Sequence, residues 1–440
     1  MRPSLAVSMI VRDAAARLPA CLASVRDIAD EIVVADTGSC DETIAIAKDV
    51  GARVISIPWN DNFAEARNRA LAAVNSDWVL SLDADEQLDA SAASAMTSLL
   101  ADNSTDAYQV TIRNYVLSLE DRIWDRAAIP NNSSLAAARG YPAYVEHENV
   151  RLFRRTPEIY FVGRVHESVG PRVLETGRKL GRAPFFIHHF GLVADAETRA
   201  RKNHFYCQLG QQKIREMPRD AQAHFELGLV ELDNFQNLEK ALELFTRACE
   251  LNRNLGVARF FRGLTLLKLE KPEEALSCLR EAEQLGHDTA LVQETMGDAH
   301  YQLKQFSQSC RSYRKGLEHD SGNVSLQSKL GLTTIRDGNA ASGLRMVRDA
   351  LATKLAARDL HDRLVLSLVW LDRIDEAAEA ASAKLRSVGK PESGDFLRAA
   401  SLWAKTGNWD RAVAALGDGL RFYPNNVGLE RAMEEAKLAV

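Results

Sequence analysis

The chain has 440 residues, 46% hydrophobic and 26% charged, and its 12 Pro and 25 Gly gather into no low-complexity tract; it is too long for one core and divides into two or three folded domains. A net charge of -5 excludes the broad basic field that binds nucleic acid or an anionic membrane. Six scattered cysteines without a CxxC pair predict reduced thiols in a cytoplasmic protein, and the seven-residue run "LAVSMIV" (5–11) is shorter than a signal core or a transmembrane span.

From residue 4 to about 112, short β-rich runs alternate with helical ones. In order they are "LAVSMIV", "PACLASVRDIA", "EIVVAD", "DETIAIAKDV", "ARVISIPW", "AEARNRALAAV", "WVLSLD", "SAASAMTSLLA" and "AYQVTIRNYV". The alternation predicts an α/β, Rossmann-like doubly wound parallel sheet with helices on both faces, whose ligands bind beyond the carboxyl ends of the strands. Two polar clusters, "ADTGSCDE" and "DADE", fall at such ends. In the first, Asp36 ends a strand, Gly38 makes a tight turn, and Ser39 to Glu42 reads as a capping box. Residues 114 to 150 lose periodicity and collect Pro, Asn, Ser and Gly, which marks an acceptor-side lid. "NVRLFRR", "YFVGRVHESV" and "FFIHHFG" then read as strands completing a domain of residues 1–195, followed by a helical linker at 196–219.

The second half repeats. Gly228, Gly263, Gly297, Gly331, Val365 and Ala400 are separated by 35, 34, 34, 34 and 35 residues, and Ala241, Ala275, Ser309, Gly343, Ala377 and Ala412 by 34, 34, 34, 34 and 35. Small residues at this period are what paired helices need where they cross, and the sequence resembles a tetratricopeptide solenoid of about six repeats over 220–426, with a capping helix at 427–440. Val365 stands where a small residue is usual, so less regular packing is expected in the middle of the array, at repeats four and five.

The sharpest chemical signal is "WVLSLDADEQL" (78–88), a strand ending in Asp83, Asp85 and Glu86. Short acidic turns often only cap the next helix. An EF-hand is excluded because Leu88 replaces the glycine its sixth position needs, and no GxGxxG follows a strand, which disfavours a dinucleotide site. The functional reading is that Asp83 and Asp85 hold Mn²⁺ or Mg²⁺, whose remaining positions water and diphosphate oxygens fill.

Taken in order, "MIVRD", "LPACLASVRDIADEIVVADTGSCDETIAIAKDVGARV", "ARNRAL" and "WVLSLDADE" closely resemble the family 2 inverting glycosyltransferases of GT-A fold, over about residues 4 to 195. The resemblance implies that Asp36, Thr37 and Ser39 contact the nucleotide, as do Arg67 and Asn68. It implies that Asp83 lies near ribose and metal, that Asp85 is a direct metal ligand, and that Glu86 stands behind them. Asp13 is a further nucleotide contact in this reading, although "VRDAA" replaces the usual Lys-Asn-Glu run and Thr37 replaces a common second Asp. An acceptor hydroxyl needs a base, for which Glu167, with His166 beside it, is the candidate. A late histidine completes the metal shell in many relatives, and His189 is chosen over His188; Arg154 and Arg164 could meet diphosphate.

The resulting expectation is a metal-dependent inverting transferase moving a hexose or N-acetylhexosamine from a nucleotide-sugar donor, UDP-linked, to a peptide or protein acceptor aided by the repeats. Neither nucleic acid nor a transmembrane segment is expected, whereas a homo-oligomer is compatible with a repeat array. Rival readings are lipopolysaccharide or surface-saccharide assembly, a nucleotidyltransferase, and a degenerate enzyme serving as a repeat scaffold.

Overall fold

The computed structural model describes residues 2–118, 121–123, 126–191, 196–353 and 357–439. By contacts the chain divides into two units, residues 1–237 and 238–440. The expected domain end at 195 and part of the expected lid lie outside the described residues.

The first unit begins with β1 (Leu5–Val11), α1 (Leu18–Val25), β2 (Glu31–Asp36), α2 (Thr43–Asp49), β3 (Arg53–Ser56), α3 (Phe63–Ala72) and β4 (Trp78–Ser81). These strands lie parallel in the order β3-β2-β1-β4, so the chain reverses direction across the sheet between β1 and β4. Alternation along β1 explains both faces. Leu5, Val7 and Met9 join a core with Leu18, Leu22 and Met96, and Ala6 joins another with Ala64 and Val173.

The sheet continues as a mixed one, not the wholly parallel sheet the alternation predicted. After β5 (Glu86–Leu88), α4 (Ser91–Ala101) and β6 (Ala107–Val116) come the two-residue strands β7 (Arg122–Ile123), β8 (Arg126–Ala127) and β9 (Ile129–Pro130), then β10 (Ala143–Arg154), α5 (Gly170–Glu175) and β11 (Leu180–His189). β10 runs antiparallel between β4 and β6, β11 runs parallel to β6, and β5 closes the order antiparallel to β11. Much of the segment read as a lid is therefore strand: β6 reaches Val116 and β10 starts at Ala143. Conversely "YFVGRVHESV" is a loop with one isolated bridge, Val162 to Ser168, because Gly163 and His166 take left-handed backbone that no strand tolerates.

Helices α6 (Ala196–Glu216) and α7 (Ala221–Asp233) group with this sheet rather than standing apart as a linker and first repeat. Phe205 and Tyr206 pack on Trp59 and Phe63, Arg164 pairs with Glu216 at 2.5 Å, and Lys213 reaches both Glu226 and the Val165 carbonyl.

The second unit contains α8 (Leu238–Leu251), α9 (Gly256–Lys268), α10 (Pro272–Gln284), α11 (Ala290–Gln302), α12 (Phe306–His319) and α13 (Val324–Arg336). It continues with α14 (Ala340–Thr353), α15 (Arg358–Trp370), α16 (Ile374–Ser387), α17 (Ser393–Lys405), α18 (Trp409–Phe422) and α19 (Val427–Lys437). Odd-numbered helices start at 256, 290, 324, 358, 393 and 427, in steps of 34, 34, 34, 35 and 34, the period of the small residues. A side chain at Gly297 would begin 2.3 Å from the Tyr313 ring, and one at Gly343 2.4 Å from the Gly331 carbonyl. Repeat four is thus close-packed, backbone against backbone; two glycines remove the side chains that keep helices apart. No helix among the described residues is long and apolar enough to cross a membrane.

Candidate active site

A cleft of about 800 Å³ opens beside the carboxyl ends of β1 and β4 and is lined by Asp83, Asp85, His147, Arg151, Glu167 and His189, with Tyr206 from α6. Its floor is Arg67, supplied by α3 and buried. The guanidinium donates to Asp83 and to Glu167 at 2.5 Å each and to the Ser81 hydroxyl at 3.2 Å. Burial disfavours this charge, but Asp83 and Glu167 more than offset it and raise the Arg67 pKa. Arg151, from β10, pairs with Glu86 at 2.8 Å and approaches Asp83 at 3.6 Å. Against burial, the two guanidiniums hold the Asp83 carboxyl well below its ordinary range. Glu86 is pushed above its ordinary value, mainly by burial.

Asp85 has a different neighbourhood. Its Oδ2 lies 3.6 Å from His189 Nε2 and 3.5 Å from the half-exposed Arg17. A methyl on Gly191 would fall 2.4 Å from both Asp85 Oδ2 and His189 Nε2, so the absence of a side chain there keeps a cradle between the two donors. Burial opposes the charged form of His189, but Asp85, Glu86 and Asp83 prevail and raise its pKa.

Among the described residues no three His, Cys, Asp or Glu side chains converge as a preformed metal cage. The expected trio of Asp83, Asp85 and His189 therefore separates: Asp83 is committed to arginine, while Asp85 and His189 face one another across the cradle. Two protein donors beside open space still fit a Mg²⁺- or Mn²⁺-type ion, which keeps water and diphosphate oxygens in its remaining positions. Arg67 and Arg151 pair with Asp83, Glu86 and Glu167, which leaves Asp85 to His189 and Arg17.

The other sequence candidates divide. Asp36 is buried, and its carboxylate accepts from the amides of Gly38 and Ser39, a turn that Gly38 allows with φ 107°. Thr37 donates to the Val11 carbonyl, while Ser39 accepts from Asp13 N–H. Asp13 in turn accepts from Cys40 N–H. This cluster locks the ends of β1 and β2 together and does not line the cleft. The capping box does not form: Ser39 serves Asp13, and α2 starts only at Thr43. Asn68, expected at the nucleotide, has both ends of its amide bound to the Phe161 backbone and so pins the loop that carries Glu167.

Alternation along β11 sends its two histidines to opposite faces. His188 is buried between Tyr115 and Asp89, and His189 enters the cleft. His166 is exposed at the rim, stacked 6.2 Å from Tyr206. Arg154 caps carbonyls of residues 102 and 105 over Trp78, and Arg164 holds Glu216; neither arginine lines the cleft.

Sequence reasoning missed Arg151, Asn114, His147 and Tyr206. Arg151 alone had a usable signal, a cation between the apolar Val150 and Leu152 of a strand.

Residues 6–159 match the family model described as glycosyl transferase family 2. A TPR repeat-containing protein of Synechococcus elongatus is 39% identical over 170 residues, covering 39% of this chain and 36% of the relative. An uncharacterized glycosyltransferase of Rickettsia felis is 36% identical over 100 residues, covering 23% of this chain and 35% of the relative. The chain spans about a third of the length of these curated relatives. A solved tetratricopeptide repeat protein from Parabacteroides merdae aligns with a TM-score of 0.44 at 12% identity, over 55% of this chain and 94% of that one.

Proposed function

We propose, from the premise that residues 6–159 are a glycosyl transferase family 2 domain, that the chain is a metal-dependent inverting glycosyltransferase. The donor in this reading is a UDP-linked hexose or N-acetylhexosamine, and the acceptor a hydroxyl of a peptide or protein that the repeats help to present. The observation that carries it is the cleft in which Asp85 and His189 stand across an open cradle with Glu167 nearby.

Asp85 and His189 would hold the cation, which supplies charge stabilisation to the leaving diphosphate. Arg67 orients Glu167 through one carboxylate oxygen, leaving the other to take the acceptor's proton as the hydroxyl attacks the anomeric carbon. Arg151 and Arg67 keep Asp83 ionised beside the donor. Tyr206 and the pinned 161–168 loop wall the cleft beside Glu167. Repeat arrays present extended surfaces suited to peptides, which supports the acceptor class.

The test is the melting temperature with and without Mn²⁺ across UDP, GDP, ADP and CMP. Saturation at about a hundred times the dissociation constant adds roughly 2.7 kcal/mol. A Mn²⁺-dependent shift with UDP is expected, lost in Asp85→Asn and in Gly191→Ala, whose methyl fills the cradle. No shift with any nucleotide would transfer the weight to a repeat scaffold.

A further inference from the structure

One amide joins two histidines of the cleft, His147 and His189. Asn114 is buried on β6 and stands in register with Val145 of β10 on one side and His189 of β11 on the other. Its Nδ2 lies 3.0 Å from the Val145 carbonyl and 2.7 Å from His147 Nδ1, and its Oδ1 lies 2.8 Å from His189 Nδ1.

The hydrogen-bond logic leaves one arrangement. A carbonyl only accepts, so the amide nitrogen must face Val145 and the amide oxygen must face His189. An oxygen only accepts too, so His189 carries a proton on Nδ1. Its Nε2, on the side of Asp85 and Gly191, is then the nitrogen with an electron pair when the ring is neutral. Toward His147 the same amide donates, so His147 Nδ1 must be unprotonated and its proton sits on Nε2. His147 remains neutral in this setting, its pKa lowered to about 4 by burial first and then by Arg151 and His189.

We propose that Asn114 is a positioning residue that fixes the two cleft histidines in opposite tautomers, presenting His189 through its Nε2 electron pair as a ligand for a divalent cation. The cation part rests on the transferase reading above; the tautomer part does not. Asn114 touches neither donor nor acceptor. It acts by making His189 a ligand before the cation arrives, as partners behind a metal-binding histidine commonly do.

Two measurements on the full chain separate these parts. In ¹⁵N–¹H spectra of the metal-free protein, at a pH alkaline enough to keep both rings neutral, His189 is expected as the Nδ1–H tautomer and His147 as Nε2–H. A proton on Nε2 of neutral His189 overturns the proposal whatever the protein binds. The second measurement is Mn²⁺ affinity in the presence of UDP, read from the free-ion electron paramagnetic resonance signal.

Asn114→Leu, which removes the bonds to both histidines and to the Val145 carbonyl, should weaken Mn²⁺ binding roughly 10–100-fold. Asn114→Asp still accepts from His189 but can donate neither to His147 nor to the Val145 carbonyl, so it should keep the affinity and the His189 tautomer while altering that of His147. A folded Asn114→Leu variant that binds Mn²⁺ as the wild type does overturns the positioning role. If Asn114→Leu does not fold, the wild-type spectrum and Asn114→Asp still decide. Failure of the wild type to bind Mn²⁺ with UDP overturns the cation reading, and the ligand role of His189 with it.

Discussion

The two units are stabilised by opposite means. In the first, the cleft gathers three carboxylates around two buried guanidiniums, and each bond joins residues far apart in sequence: Arg67 to Glu167 spans 100 positions. In the second, the same contact recurs every 34 or 35 residues and depends on what is missing, the side chains of Gly297, Gly331 and Gly343. Damage to the first unit therefore leaves charge unpaired, whereas damage to the second causes steric overlap between neighbouring helices. Local unfolding energies should differ accordingly.

The largest test of that difference is Arg67→Met. It strands Asp83 and Glu167 in a partly buried site, and a loss of about 3–5 kcal/mol is expected in urea unfolding of the first unit, together with loss of nucleotide binding. A loss below about 1 kcal/mol would mean that water solvates the pair and that the floor is not dry.

Asn68→Ala should follow at about 2–3 kcal/mol, from two broken hydrogen bonds and two orphaned backbone groups at Phe161. Because the 161–168 loop carries Glu167, transfer should fall more than nucleotide affinity does. Equal losses of both would show that the loop serves the donor rather than the acceptor.

Gly343→Ala is next. Its methyl meets the Gly331 carbonyl at 2.4 Å and Ile335 at 2.7 Å, and backbone cannot rotate away as a side chain can. About 1–3 kcal/mol should be lost from the melting transition of the second unit, with nucleotide binding in the first unchanged.

The smallest expected effect has the opposite sign. The turn after each first helix holds a left-handed residue at Gln236, Glu270, Lys304, Gly338, Asp372 and Gly407. Only two of these are the glycine that such a position favours. Glu270→Gly should relieve the strain at φ 59° and stabilise the second unit by about 0.5–1 kcal/mol, as differential scanning calorimetry would show. Destabilisation instead would mean that the Glu270 side chain makes a contact worth more than the strain.

Periodicity and local chemistry were legible without coordinates. The βαβ rhythm located β1 to β4, because alternate residues must face opposite cores, and the 34-residue step located every helix pair, because helices cannot approach closely over large side chains. Asp83 and Asp85 were recognisable as chemistry because carboxylates at the end of an apolar strand need a counter-charge. Which counter-charge each one takes was not, since Arg67, Arg151 and His189 come from α3, β10 and β11, and strand pairing alone decides who meets whom. Asn114 makes the same point: its partners lie 33 and 75 residues away, with no spacing to betray them. The sequence by itself determined the kinds of element and the presence of acidic strand ends, both set by short-range sterics and burial. The tertiary structure alone decided that Asp83 binds arginine while Asp85 faces an open cradle, because a long-range ion pair depends on the register of a mixed sheet that no local pattern encodes.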